Sequence, residues 1–258
     1  MKVGRTEKYL LEEIEKKKGL LLALIDPADY QHKEDAIKAG REACEGGADA
    51  ILVGGSIGAE GELLDTVTKE IKSSVSVPVI LFPGNISTIS KYADAVYFMS
   101  LLNSRHPYWI TGAQMLAANS IRLLGIEPLP VGYIVIEPGG TVGYVGDANL
   151  ISRNKPQIAA AHALSAQYMG FRFVLTDAGS NPSLGPIPLD MVKAVSSTIN
   201  IPYIVAGGIK SPTQAAGIIK AGADAIQVGT ALEHGKNLKK LVGEMVRAIR
   251  NSGLQKTK

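Results

Sequence analysis

Eight short apolar runs, separated mostly by stretches with helical spacing, limit what this chain of 258 residues can fold into more than any other feature. They are Leu20–Ile25, Ala50–Val53, Val77–Phe82, Ala95–Met99, Pro130–Ile136, Phe171–Thr176, Pro202–Ala206 and Ala225–Val228. Each is nearly continuous in hydrophobicity rather than alternating, the pattern of parallel strands covered on both faces. Helical spacing fills Lys33–Glu45, Glu60–Ser73, Thr111–Leu124, Pro156–Met169, Leu189–Thr198 and Pro212–Ala221; Leu238–Asn251 closes the chain and Thr6–Lys18 opens it. Gly46-Gly47-Ala48-Asp49 and Ala221-Gly222-Ala223-Asp224 each give a helix-ending glycine and a small residue before a strand. This alternation predicts an α/β fold: one (β/α)8 TIM barrel over residues 1–258, with an extra N-terminal helix. Between Phe82 and Ala95 the chain is too short for a full helix, so helix 3 is expected to be short or replaced by loop. An open doubly wound sheet would place a glycine-rich fingerprint after its first strand, where this chain has Ile25-Asp26-Pro27.

A formal charge of +3 gives no reason to expect nucleic acid as a partner, and the runs Lys16-Lys17-Lys18 and Lys256–Lys258 read as solvated ends. The single cysteine, Cys44, precludes an internal disulfide and is expected to be a small buried residue on a helix face. The chain has no apolar stretch of about 18 residues, and the charged start Met1–Lys8 does not read as a secretory signal. A soluble cytoplasmic protein is expected.

In such a barrel the C-terminal strand ends and the loops after them build the site. Here those ends carry Asp26, Gly54-Gly55-Ser56, Pro83-Gly84-Asn85, Ser100, Glu137-Pro138-Gly139-Gly140, Asp177-Ala178-Gly179-Ser180, Gly207-Gly208 and Gly229-Thr230. Glycines after strands 7 and 8 leave backbone N–H groups free to converge on a phosphate, with Gly179-Ser180 as a third edge. Tight turns are the competing reason for the same glycines. Asp26, at the rim of a dry core, needs a basic partner, a backbone cap or a cation. With Ser56 it makes half of a Mg2+ site, since Mg2+ takes one or two protein oxygens and completes its shell with water and phosphate. Glu137 and Asp177 are candidate general bases. No lysine ends a strand, which argues against Schiff-base chemistry. Lys210 reads as a solvated loop residue and His162 as a packed helix residue. Tyr108 and Trp109 either join the core or wall an apolar groove.

Five segments together resemble the geranylgeranylglyceryl phosphate synthases and their bacterial heptaprenylglyceryl phosphate relatives. They are LIDPAD (24–29), ILVGGS (51–56), HPYWITGAQ (106–114), GYIVIEPGGTVGYVGDA (132–148), and AGGI with VGT (206–209 and 228–230). The resemblance is to the larger subgroup and covers almost the whole chain. It implies prenyl transfer from geranylgeranyl diphosphate to the C3 hydroxyl of sn-glycerol 1-phosphate, the first ether bond of archaeal-type membrane lipids. It also implies Mg2+ on Asp26 and Ser56. Glycerol phosphate would lie against Leu175, Thr176, Asp177, Ala178, Gly179, Ser180, Asn181, Gly207, Gly208, Gly229 and Thr230. The prenyl tail would run in a trough bordered by Tyr108, Trp109 and Tyr133. A homo-oligomer and peripheral membrane contact for product release are further expectations. The family's strand-6 pattern, Tyr-Leu-Glu-Ala-Gly-Ser-Gly, is here Leu175-Thr176-Asp177-Ala178-Gly179-Ser180-Asn181. The base is thus one methylene shorter, with Glu137 or a water bridge expected to compensate. Without the resemblance, the residues equally suit another phosphate-binding barrel isomerase or lyase, or a barrel that binds a phosphorylated ligand without turnover.

Overall fold

In the computed structural model, which describes residues 2–55, 57–233 and 237–256, eight parallel strands close a barrel in sequence order. They are β1 (Leu20–Ile25), β2 (Ala50–Gly55), β3 (Val79–Pro83), β4 (Ala95–Leu101), β5 (Glu127–Val135), β6 (Phe173–Asp177), β7 (Tyr203–Ala206) and β8 (Ala225–Val228). The helices are α1 (Arg5–Lys17), α2 (Lys33–Glu45), α3 (Gly61–Ser74), α4 (Ala113–Leu124), α5 (Gly140–Val145), α6 (Pro156–Tyr168), α7 (Leu189–Ser196), α8 (Pro212–Lys220), α9 (Thr230–Glu233) and α10 (Leu238–Gly253).

Alternate residues of each strand divide between two apolar layers. Ile51, Val53, Val205 and Ile226 face the helices, whereas Leu22, Leu52, Tyr97, Tyr133, Leu175 and Ala225 fill the barrel interior. The interior extends downward onto α1, where Leu10 is buried and Tyr9 and Ile14 pack against the same layer. The extra helix therefore stoppers the N-terminal end of the barrel. Glu127, at the start of β5, fixes it there by accepting the N–H groups of Thr6 (2.7 Å) and Glu7 (2.9 Å), two donors of the first helical turn.

The Ala-Asp-Ala segments at 48–50, 93–95 and 223–225 have a shared purpose that spacing does not reveal. Asp49, Asp94 and Asp224 accept the N–H groups of Leu21 (2.8 Å), Val79 (2.8 Å) and Tyr203 (2.9 Å). Each thus satisfies a donor at the bottom of the strand before it.

Residues 84–94 form no helix, as expected, and this loop leaves a gap in the helical ring between α3 and α4. Only β1 and β8 keep their expected limits; the other six strands differ by one to three residues at an end, and two of them show why. β6 starts at Phe173 rather than Phe171, because Gly170 ends the helix at φ +87° and Arg172 is still turning toward Pro130. β5 starts earlier, at Glu127, held by the N-terminal helix as above. Cys44 is only partly buried, with its Sγ 3.8 Å from Ser76 Oγ.

Candidate active site

The barrel opens at its C-terminal end into a cavity that continues sideways into the gap left by the missing helix. The first part of the site depends on two glycines. A Cβ on Gly54 would lie 1.9 Å from the carbonyl oxygen of Phe82, and one on Gly55 would lie 2.0 Å from Oδ2 of Asp26. Gly54 therefore lets β2 and β3 close up, and Gly55 makes room for the Asp26 carboxylate. That carboxylate accepts the N–H of Ala28 (3.1 Å), capping the turn Pro27–Asp29. Burial, with the charge of Asp29 next, pushes its pKa up to about 7. Its remaining lone pairs face the cavity. A hard, partly buried carboxylate with negative neighbours is a suitable ligand for Mg2+. Among the described residues no group of three or more His, Cys, Asp or Glu converges. Ser56, the second expected ligand, lies outside the described residues.

Across the mouth, Gly179 (φ +85°), Gly207 (φ +86°) and Gly208 (φ +74°) adopt left-handed backbone. Close packing requires glycine at all three positions. A Cβ would lie 2.5 Å from the Gly139 carbonyl at Gly179, 2.7 Å from the Ala178 nitrogen at Gly207, and 2.7 Å from Pro182 at Gly208. The loops thus pack backbone against backbone, and the cleared backbone also lines the cavity, joined by Ser180, Asn181, Gly229 and Thr230. Among the described residues the N–H groups of Gly207 and Gly208 have no protein acceptor, so they are available to an anion. Asn181 sits at φ +44°, a conformation asparagine tolerates, so it replaces glycine here at little cost. Lys210 donates to Asn181 Oδ1 (2.7 Å) at the exposed rim.

Beneath this cradle lies Asp177, only 6% exposed. Its Oδ2 accepts the Tyr133 hydroxyl (2.7 Å) and its Oδ1 accepts the Gly179 N–H (2.7 Å). Burial raises the Asp177 pKa above the usual carboxylate range, and the two hydrogen bonds pull it partly back. Burial and the facing carboxylate hold the Tyr133 hydroxyl well above its ordinary value, so it stays protonated and donates. A carboxylate of raised basicity, held by two donors and open to a cavity, is equipped to accept a proton from a bound hydroxyl.

Other expected residues lie elsewhere. Leu175, Thr176 and Ala178 are buried in the barrel wall, and the Thr176 hydroxyl pairs with that of Tyr203 at 2.7 Å. The Glu137 carboxylate turns away from the cavity and accepts the Ser152 hydroxyl (2.9 Å) and the Arg153 N–H (3.3 Å), so it organises a loop. Tyr108 does not border the cavity and donates to Asn85 Oδ1 (2.7 Å). Trp109 does line it, on a wide helical turn (Tyr108–Gly112). Gln114 fixes that turn by donating to the carbonyls of Met99 (2.5 Å) and Trp109 (3.1 Å). From Trp109 the cavity runs outward as an apolar trough between β3 and its following loop, at Phe82, Ile86 and Ile89, and α4, at Ala113, Ala117 and Ile121. Sequence reasoning missed two further polar groups in the barrel interior, Tyr97 and Gln227; a glutamine inside the apolar run of β8 was the available signal.

Residues 12–251 match the PcrB family. The geranylgeranylglyceryl phosphate synthase of Pyrococcus horikoshii is 54% identical over 251 residues, 97% of each chain. A crystal structure of (S)-3-O-geranylgeranylglyceryl phosphate synthase from Thermoplasma acidophilum, in complex with its substrate sn-glycerol-1-phosphate, superposes with a TM-score of 0.90. That protein is 38% identical, the match covering 95% of this chain and 98% of the other. The wild-type enzyme from Thermoplasma volcanium is 40% identical, with a TM-score of 0.88 over 94% of this chain and 97% of that one.

Proposed function

The chain belongs to the PcrB family, and we propose that it joins the geranylgeranyl group of geranylgeranyl diphosphate to the C3 hydroxyl of sn-glycerol 1-phosphate. The observation that carries this reading is the meeting, in one cavity, of a glycine-lined anion cradle, a buried carboxylate and a long apolar trough. A closed polar pocket would suit an isomerase or lyase of small phosphorylated substrates; the trough does not.

The cradle at Gly207, Gly208 and Gly229, with Gly179 clearing its edge, binds the phosphate of the glycerol substrate through backbone N–H groups. That places the terminal hydroxyl over Asp177. The trough takes the prenyl tail, and each buried CH2 contributes about 0.8 kcal/mol, so the tail dominates affinity for that substrate. In the transfer, the hydroxyl oxygen bonds to the allylic carbon, the carbon–oxygen bond to diphosphate breaks, and the hydroxyl proton passes to Asp177 Oδ. Tyr133 and the Gly179 N–H hold that carboxylate in place throughout. Asp26, with Ser56 next to Gly55 in sequence, would hold Mg2+. The ion, when bound, neutralises charge developing on the departing diphosphate. Asp26, after β1, and Asp177, at the end of β6, are held apart around the mouth by β7 and β8, separating the leaving group from the nucleophile.

A homo-oligomer completes the proposal. α4 buries only Ile121, and it exposes Met115 and Leu123 by 69% and 73%. An apolar helix face of this kind suits a second copy of the chain. No described helix is long and apolar enough to cross a membrane. The lipid product would leave through the open trough by peripheral contact with the bilayer. Assay with geranylgeranyl diphosphate, Mg2+ and the two glycerol phosphate enantiomers tests the reading. Turnover confined to sn-glycerol 1-phosphate is expected; equal or absent turnover with both enantiomers overturns it.

A further inference from the structure

Gln227 on β8 is 3% exposed, lines the cavity, and has an Oε1 with no hydrogen-bond partner among the described residues. It points into the barrel, since Ala225 lies in the inner layer while Ile226 and Val228 lie in the outer one. Leaving such an amide oxygen unmatched costs folding free energy, so a donor from a ligand is its natural complement. Register locates that ligand. Asp177 pairs with Ala206 on β7, and Ala206 pairs with Gln227 on β8. The carboxylate and the carboxamide therefore enter the barrel from register-matched positions two strands or about 10 Å apart at Cα, with only a methyl group between them. Directly above Ala206 comes Gly207-Gly208, the anion cradle.

We infer that Gln227 binds the secondary hydroxyl of the three-carbon phosphate substrate and so selects its configuration. The inference rests on the glycerol phosphate reading and deepens it. A three-carbon chain hanging from the cradle enters the barrel between Asp177 and Gln227. Its terminal hydroxyl meets Asp177, and its middle hydroxyl branches toward β8, donating to Oε1. Inverting the middle carbon turns that hydroxyl away from Gln227 while leaving the amide oxygen unpaired. Selection through an unpaired buried group is strong because the wrong substrate leaves the site's own polar atom unmatched.

The test replaces Gln227 by Met and, separately, by Leu, two apolar residues of similar size. Each variant is assayed with sn-glycerol 1-phosphate, its enantiomer, and 3-hydroxypropyl phosphate, which lacks the middle hydroxyl. Loss of one hydrogen bond to a buried partner predicts a fall of about 10- to 100-fold in kcat/KM for sn-glycerol 1-phosphate. For 3-hydroxypropyl phosphate the change should stay within about twofold, and preference between the enantiomers should shrink. Equal falls on both substrates, or no fall on either, overturn the assignment, because the amide would then only fill the barrel. Calorimetric binding of the two phosphates to parent and variants needs no turnover. It separates failure of the Gln227 assignment from failure of the prenyl-transfer reading: parent protein that binds both phosphates equally removes the former, whether or not it catalyses transfer.

Discussion

The Tyr133 hydroxyl on β5 donates a 2.7 Å hydrogen bond to Oδ2 of Asp177 at the end of β6. Tyr133 is the register partner of Leu175, which occupies the place of tyrosine in the family's strand-6 pattern. The shorter carboxylate is therefore braced from the neighbouring strand.

That brace has a signed consequence for pH dependence. Burial raises the Asp177 pKa, and the Tyr133 hydroxyl lowers it by stabilising the carboxylate. Tyr133→Phe removes the lowering contribution, so the carboxylate takes up its proton at higher pH. The acidic limb of the kcat/KM profile should move upward in pH relative to the parent, with a fall of about tenfold at neutral pH. Asp177→Asn, which removes the base itself, should lower kcat by about 100-fold or more at every pH. A profile unmoved by Tyr133→Phe would mean that another group takes the proton.

Asp26 yields a second prediction, in two parts. Asp26→Ala should abolish turnover while calorimetry still detects glycerol phosphate binding, because the cradle is backbone after β7 and β8, and the Asp26 carboxylate caps Ala28 rather than any cradle residue. The second part concerns stability without added cation. The folded-state pKa of about 7 exceeds the ordinary value of 3.8, so the group's stabilising contribution is fully present below about pH 4. It is lost as pH rises toward 7. Asp26→Asn escapes this loss, so at pH 8 in chelator it should unfold at higher temperature than the parent. Allowing for partial exposure, about 1 kcal/mol or roughly 2–4 °C is expected, and the gap should close at pH 4. Added Mg2+ should raise the melting temperature of the parent only.

How much of this was legible differs by element. β1 and β8 were readable to the residue because their limits are set locally, by a left-handed residue after the preceding helix (Lys18 and Gly222) and a polar or glycine residue after the strand. The loop replacing helix 3 was readable from chain length alone. The start of β5 was not, since Glu127 acts on Thr6 and Glu7, 120 residues away or more in sequence. The glycines after β6 and β7 were readable as a site, although close loop packing demands them as well. Glu137 and Asp177 looked equivalent as strand-end carboxylates. Only three-dimensional placement shows one turned to Ser152 and Arg153 and the other to Tyr133. The Tyr133–Asp177 and Asp177–Ala206–Gln227 relationships depend on barrel shear, which no single strand encodes.

The adjacent glycines of ILVGGS should separate stability from the Mg2+ requirement. Gly54→Ala drives a methyl into the Phe82 carbonyl, a backbone atom that cannot yield without parting β2 from β3. A loss of about 1–3 kcal/mol is expected, read by denaturant unfolding. Gly55→Ala instead meets the Asp26 carboxylate, a side chain able to rotate away. It also sets alanine at φ +148°, a strained conformation for any side chain, so stability falls together with kcat, and the Mg2+ concentration required should rise. A change in the Mg2+ requirement in Gly54→Ala but not in Gly55→Ala would refute this account of the motif.

The exposed face of α4 predicts a change of assembly. Leu123→Glu together with Met115→Glu places two charges on the apolar face while leaving the buried Ile121 untouched. Sedimentation velocity should show the parent as an oligomer and the double variant as a smaller species with an unchanged circular dichroism spectrum. A parent that is monomeric at tens of micromolar would exclude a second copy as the partner of this face.

The trough makes the final prediction, on chain length. Ala117 on α4 lines it opposite the loop that replaces helix 3, and its methyl leaves open the path between Trp109 and Ile121. Ala117→Trp fills that path without touching the cradle, Asp26 or Asp177. A C10 diphosphate, short enough to end before the obstruction, should keep its kcat/KM within about twofold. A C20 chain must leave part of its tail in water. Two unburied CH2 groups alone forfeit about 1.6 kcal/mol, a loss of more than tenfold in affinity, and each further one compounds it. Steady-state kinetics with C10, C15 and C20 diphosphates should therefore show a penalty that grows with length in the variant and is absent in the parent. A uniform penalty at all three lengths would place the tail elsewhere, because only a chain that passes Ala117 can sense what stands there.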